Sequence, residues 1–379
     1  MKVRLVMRNR LFLAGRILKS ALFESIRPYK LTFAVTARCN SRCRSCATWR
    51  HDAVDELSLE EIEHFFSVNP HFQWLDLTGG EFFLRDDAVD IARIALHHSR
   101  RCFHLHIPTN AVDPHRTASG VTKINALAAD LFTVTISLDG PPEVHDRIRG
   151  VAGNWQAAME VYQALKGLTS ASFRIFFGFT ASPWNLGDFP ATVAAVRQRF
   201  PEVTLHHFHL NLYHRSSHYY RTRGESPPFQ GHEAAVLDQV HLFRRGIGGS
   251  FDPIAHLERR YLGLVNHFLA TGRSPLPCQA LAESLFLSAD GTVYPCSIWD
   301  RPLGNLRRDG FHLEPILAAS SGVRKEVRDE RCPGCWTPCE AYPSILAGFW
   351  RSPRSRPSPA AGGPRHPIPS SPAASVTDP

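Results

Sequence analysis

Three cysteines fall within eight residues, Cys39, Cys43 and Cys46, in the stretch TARCNSRCRSCATW that directly follows the apolar run Leu31 to Val35. A structural metal site wants four protein ligands, and this stretch supplies three. Two chemistries answer the shortage. A zinc site could be completed by a distant His or Cys, or a cubane [4Fe-4S] cluster could leave its fourth iron open to bind and activate a substrate. Five more cysteines form a second group: Cys278 and Cys296 flank Gly291, and Cys332, Cys335 and Cys339 follow in CPGCWTPC. Four of these five suffice for one fully ligated cluster or one tetrahedral zinc site. Cys102 begins a predicted strand, where a buried structural thiol is expected. Nine cysteines, eight of them in two groups, with no secretory leader ahead of them, argue against a disulfide framework and for metal or redox use in a reducing cytoplasm.

The elements that must position these groups are legible as a rhythm. From residue 31 to about 212, short β-branched or aromatic runs alternate with longer amphipathic segments, the pattern of βα units around a parallel sheet. Strands are predicted at Leu31 to Thr36, Trp74 to Thr78, Phe103 to Pro108, Phe132 to Leu138, Phe173 to Phe179 and Val203 to Leu212. The first helix opens with Ser58 and Glu61 in capping-box spacing. Six units are too few for an eight-stranded closed barrel, so an α/β fold with a partial, open (β/α)6 TIM-like barrel is expected, with its ligands at the carboxyl ends of the strands. The cysteine triplet, TGGE, PTN and SLDG all fall at those ends.

Five segments follow: a basic amphipathic N-terminal helix (1–30), the barrel (31–212), a helical and irregular connection (213–275), a small cysteine-rich α+β domain (276–348) with a hairpin turning at Asp290 and Gly291, and a Pro/Ser/Ala/Gly tail (351–379) too poor in apolar residues to fold. At 379 residues and 43% hydrophobic, the chain can bury a large core and a small one. Charges interrupt every apolar run of the N-terminus short of a membrane span. That helix either docks its apolar face on the barrel or lies on a membrane surface. A net charge of +8 permits acidic partners, but the basic residues do not cluster with aromatics on one element, so no specific nucleic-acid partner is expected.

The C-x3-C-x2-C triplet after the first strand, followed by Gly79-Gly80-Glu81 after the second, resembles the radical S-adenosylmethionine (SAM) superfamily. The resemblance implies that three thiolates hold a [4Fe-4S] cluster whose open iron chelates SAM. One electron then breaks the sulfonium bond, and the resulting 5′-deoxyadenosyl radical takes a hydrogen atom from substrate. It also implies that Gly79, Gly80 and Glu81 meet the methionyl amino group, that Asn110 lines the SAM pocket, and that Ser137 and Asp139 lie at the ribose. An arginine of HDRIRG, Arg147 or Arg149, would face the SAM carboxylate. Ser45 departs from the family, which often carries an aromatic there, and Trp49 is the candidate substitute. The second cysteine group resembles the SPASM/twitch auxiliary-cluster extension. With five cysteines it implies one auxiliary [4Fe-4S] cluster held by Cys278, Cys296 and two of Cys332, Cys335 and Cys339, by analogy the first two.

Such an enzyme needs an electron donor such as flavodoxin or ferredoxin. HDRIRG together with the extension points to a peptide substrate. The basic N-terminus points instead to a lipid or glycan modified at the membrane surface. A reading of another class is a non-catalytic zinc and nucleic-acid-binding protein. Alternate residues His207, His209, Asn211 and Tyr213 share one face of the last strand, and no acid, base or radical donor is assigned among them.

Overall fold

The computed structural model describes residues 2–22, 27–50, 55–222, 229–248 and 252–348, with side chains of the first helix described from 8 to 19. The predicted tail, 351–379, lies outside the described residues. Six parallel strands, β1 (Lys30–Ala34), β2 (Trp74–Thr78), β3 (His104–Thr109), β4 (Leu131–Ser137), β5 (Phe173–Ala181) and β6 (Phe208–Leu212), lie side by side in sequence order. The last is shorter than the predicted Val203 to Leu212, because Leu205–His207 forms a 3-10 turn in which His207 reaches back to Thr204. Each crossover carries helix: α2 (Leu59–Val68), α3 (Ala88–His98), α4 (Pro114–Asn125), the pair α5 (Pro142–Arg149) and α6 (Asn154–Leu165), and α7 (Phe189–Arg199). These follow α1 (Lys2–Leu22). The capping box of α2 forms as expected: Ser58 Oγ accepts from Glu61 N–H, and the Glu61 carboxylate accepts from Ser58 N–H.

Alternation along the strands sorts the side chains. Leu31, Phe33, Leu75, Leu77, Leu105, Ile107, Val134, Ile136, Phe177 and Phe179 are fully buried in the apolar layer beneath the helices. Their neighbours Lys30, Asp76, His106, Thr135 and His209 turn to the other face and line a lumen. The expected helical and irregular connection, 213–275, carries α8 (Glu233–Gly246), α9 (Pro253–Gly263) and α10 (Val265–Thr271). The break before α9 is fixed by Asp252, whose carboxylate caps Ile254 N–H ahead of Pro253.

The predicted hairpin is β7 (Ser284–Leu287) and β8 (Thr292–Tyr294), antiparallel, with Gly291 at a positive φ. It does not stand apart from the barrel. β7 pairs in parallel with β1, so β8 and β9 (Gly304–Asn305) extend one nine-stranded sheet in the order β6-β5-β4-β3-β2-β1-β7-β8-β9. α11 (Leu313–Ala319), α12 (Ser321–Arg328) and α13 (Pro338–Gly348) complete the C-terminal unit. Arg307 ties it to the barrel, donating to Glu61 at 2.6 and 2.8 Å and to Asp55 at 2.7 Å.

Candidate active site in the barrel lumen

The lumen is a cavity of about 560 Å³. At the carboxyl ends of the strands its wall is made by Cys39, Cys43, Cys46, Gly79, Gly80 and Glu81; its midsection is polar; its floor is apolar, formed by Leu13 and Ile17 of α1, Ile254 and Leu257 of α9 and Leu346 of α13. The N-terminal helix therefore docks on the barrel. Asn9 donates to Asp130 at 2.8 Å and Arg10 lies over the Phe103 ring, while Leu11 and Leu18 are exposed on its outer side. No helix among the described residues is long and apolar enough to cross a membrane.

The cysteine loop is held from two sides. Arg42 N–H and Arg44 N–H donate to the carbonyls of Arg149 and Ile148, at 2.8 and 2.9 Å. On the other side Gly80 N–H and Glu81 N–H donate to the carbonyls of Thr36 and Arg38, both at 2.8 Å. The approach there is so close that a Cβ on Gly80 would stand 2.2 Å from the Arg38 oxygen and 2.9 Å from Cys39 Cβ, which explains the glycine sterically. Glu81 is buried, and its carboxylate accepts from Asn110 N–H (2.7 Å), Thr109 Oγ1–H (3.0 Å) and Phe83 N–H (3.2 Å). It thus pins the end of β3 to the loop after β2. Burial still pushes its carboxyl up.

The structure separates residues the sequence left together. Arg149 faces the cavity: its guanidinium pairs with Asp139 at 2.7 Å and lies 3.7 Å from Cys43 Sγ. Arg147, two residues earlier in the same motif but on the outer side of α5, is exposed and does not line the cavity. Asn110 lines the cavity with Nδ2 bonded to Asn40 at 2.8 Å and 3.7 Å from Cys39 Sγ. Ser137 lines it too, whereas Asp139 stands behind the wall, its carboxylate taken by Arg149 and Thr180 N–H. The rest of HDRIRG is structural: His145 accepts from Asp139 N–H, and Asp146 accepts from the N–H groups of Gly153 and Trp155. Trp49 and Ser45 both line the cavity.

The donor set fits a cluster facing an open pocket. Three thiols share one wall, with the Arg149 cation beside Cys43. Ser41 Oγ, Trp49 Nε1 and Arg149 Nε line the same cavity, buried and without a partner among the described residues. Burial pushes the Cys39 thiol up to about 12, and pushes Cys43 up against the opposing pull of Arg149. No three His, Cys, Asp or Glu side chains among the described residues converge on a single ion. A cluster asks something different of its thiolates, which stand apart by the width of several irons.

In the C-terminal unit Cys278, Cys296 and Cys335 gather around Ala280, Ile298 and Val327. Burial raises all three thiols, then Glu340 and the neighbouring thiols reinforce it: Cys332 acts on Cys278 and Cys296, which both act on Cys335. Cys339 has different company. It lines the barrel cavity with Thr337 and Tyr342, beside Lys30 and Asp76. Cys102 is buried at the foot of β3 with its thiol near the His104 carbonyl.

Sequence reasoning missed the lumen's polar band and the loop beyond β6. Lys30 Nζ, wholly buried, pairs with Asp76 at 2.7 Å, and Asp76 also accepts from Trp74 Nε1 at 2.8 Å. Of the predicted polar face of the last strand, His209, Asn211 and Tyr213 line the cavity and His207 does not. His209 Nδ1 is 3.2 Å from the buried Glu258 carboxylate. Tyr219 lines the cavity with its hydroxyl 3.0 Å from Thr78 Oγ1. Period-two patterning could have exposed Lys30, Asp76 and His106 as inward residues; nothing in the loop's sequence signalled Tyr219.

Comparison with known proteins agrees with this architecture. The family model of the radical SAM superfamily matches residues 33–190, and that of an iron-sulfur cluster-binding domain, SPASM, matches residues 278–339. Curated relatives include the AdoMet-dependent heme synthase of Oleidesulfovibrio alaskensis, 28% identical over 36% of this chain and 34% of that protein. The Fe-coproporphyrin III synthase of Methanosarcina barkeri is 27% identical over 46% of this chain and 42% of that protein. The chain thus matches well under half the length of these relatives. Among solved structures, anSMEcpe with bound AdoMet superposes with a TM-score of 0.54 at 14% identity, over 85% of this chain and 97% of that one. Streptococcus suis SuiB bound to S-adenosylmethionine gives 0.50 at 13%, over 79% and 68%. These structures share the fold. With both family models in chain order on the two cysteine groups, the chain belongs to the radical SAM superfamily and carries a C-terminal iron-sulfur cluster-binding domain of SPASM type.

Proposed function

We propose that the enzyme abstracts hydrogen from a compact amphiphilic substrate standing in the barrel lumen. The observation that carries this is the cavity itself: cysteines at one end, a polar band, and an apolar floor closed by α1, α9 and α13. When bound at the cluster, SAM supplies a one-electron cleavage that yields a hydrogen-abstracting carbon radical. In this reading Cys39, Cys43 and Cys46 hold the cluster. Gly79 and Gly80 let backbone approach the methionyl end, and Glu81, already fixed by three donors, presents a preoriented carboxylate to its ammonium. Arg149 faces the carboxylate, while Asn110 and Ser137 line the adenosyl side. Cys278, Cys296, Cys332 and Cys335 hold the auxiliary cluster.

The apolar floor favours a substrate with an apolar portion, a class that includes lipids and tetrapyrroles, and the curated relatives carry the names of tetrapyrrole synthases. The expectation of a peptide rested partly on HDRIRG, whose residues here support the cysteine loop. The test uses anaerobically reconstituted holoenzyme under reduction, offered iron coproporphyrin III, a phospholipid or a peptide in turn, with 5′-deoxyadenosine measured. Stimulation by an amphiphile supports the reading, and stimulation by the peptide alone refutes it. Soluble flavodoxin or ferredoxin is the proposed electron source.

A further inference from the structure

We propose that Cys339 is a hydrogen donor of the cavity and not a cluster ligand: its thiol faces the substrate space and returns a hydrogen atom to a carbon radical formed there. This rests on the radical SAM reading and deepens it.

Three observations place the residue. First, Cys339 lines the lumen, whereas none of the other four C-terminal cysteines does; those four suffice for a fully ligated cluster. Second, the start of α13 is pinned to the lumen wall by a buried cation, since Lys30 Nζ donates to the Cys339 carbonyl at 2.9 Å while pairing with Asp76. Third, Thr337, on the same wall two residues earlier, is 3% exposed, and its buried Oγ1 has no partner among the described residues. A buried hydroxyl left unmade is costly unless something else meets it, so this wall is shaped for a ligand. Tyr342 and Leu346 line the same cavity, and the charged groups beside the thiol, Lys30 and Asp76, are paired with each other.

The step balances. The carbon radical forms a C–H bond as the S–H bond of Cys339 breaks, leaving a thiyl radical. One electron from the low-potential one-electron donor that the superfamily's reaction already requires, with a proton from solvent, restores the thiol. A substrate that gives one hydrogen to SAM's radical and receives one from Cys339 leaves with the hydrogens it brought, so the reaction class is an isomerisation or stereochemical inversion.

The experiment needs no substrate. Reconstituted holoenzyme is reduced with dithionite and given SAM in D2O, and deuterium per 5′-deoxyadenosine formed is read by mass spectrometry for wild type, Cys339→Ser, Cys339→Ala and Tyr219→Phe. Iron content is measured alongside. A serine O–H bond is too strong to yield its hydrogen to carbon, while serine keeps the shape. The expected result is singly deuterated 5′-deoxyadenosine from wild type and Tyr219→Phe, with at least a fivefold lower label in both Cys339 variants and iron unchanged. Equal label in wild type and Cys339→Ser, label lost only in Tyr219→Phe, an unlabelled wild type, or iron lost from both Cys339 variants would each overturn the proposal. Absence of any 5′-deoxyadenosine from wild type would instead sink the radical SAM reading on which it rests.

Discussion

Removing one of two neighbouring arginines separates the geometry of this site from its sequence motif. Arg149 is enclosed, its side chain 13% exposed, and it neutralises Asp139, 2% exposed, at 2.7 Å. Replacing Arg149 with Ala strands a buried carboxylate, and breaking a buried pair from one side costs about 3–5 kcal/mol. Asp139 does not relax to solvent, because its other oxygen accepts Thr180 N–H and its own N–H donates to His145. The loss therefore falls on the junction where α5 carries the cysteine loop. Arg147 is exposed, so its replacement with Ala should stay within about 0.5 kcal/mol. Urea unfolding of the apoprotein measures both, and iron retained after reconstitution measures the consequence for the loop. Lys at 149 should fall between, since it keeps the charge but loses the planar fork. If R149A unfolds within about 1 kcal/mol of wild type and keeps its iron, the ion pair is not what positions this loop.

Two further outcomes follow from sterics and titration. Gly80→Ala should lose roughly half the iron of a two-cluster enzyme, because the added methyl meets the Arg38 carbonyl at 2.2 Å and displaces the first loop while leaving the C-terminal cysteines alone; retention of all the iron would refute the contact's role. Burial holds His104 and His145 down to about 3, so both stay neutral when folded while the unfolded chain takes up protons near pH 6.5. Their folded values are depressed, so stability falls as pH drops below about 6.5, with a slope of about 1.4 kcal/mol per pH unit for each group. Denaturation midpoints between pH 7 and 5 test this, and His104→Phe should show a shallower slope; an unchanged slope would contradict it.

What the sequence made legible follows the range of the interaction involved. Strand and helix positions depend on local periodicity, so five of the six barrel strands fall within a few residues of expectation, and the α2 capping box forms as written. Features that depend on distant partners were not legible. β6 begins late because Leu205–His207 folds on Thr204. The hairpin's outer pairing was invisible because β7 meets β1 across some 250 residues of chain, read from the register Lys30 to Ser284. Arg149 and Arg147 share a motif and a residue type, and only the rotation of α5 about its axis, set by buried His145 and Ile148, turns one inward. Cys339 and Cys335 are likewise alike in sequence; the opening of α13 at Pro338 divides them between two environments.

The two cysteine groups are not independent modules joined by a linker. The loop beyond β6 touches both. Tyr219 and Tyr220 accept through their carbonyls from Thr48 Oγ1 (2.9 Å) and Ala47 N–H (2.8 Å), next to Cys46. One residue earlier, His218 reaches the Cys296 carbonyl at 3.0 Å, and Asp300 holds the start of that turn through Ser217 N–H and His218 N–H. Donors from Ser217 and His218 outweigh burial and draw the Asp300 carboxyl down to about 2, so the clamp stays charged at any working pH. His214 accepts Trp336 N–H at 3.0 Å, one residue past Cys335. The stretch His214 to Tyr220 of this loop thus ties the two groups together, and its Tyr219 ring walls the cavity. A substitution that loosens this loop, such as Asp300→Ala, must therefore disturb both cysteine groups together, whereas a linker between autonomous domains would let each keep its geometry alone.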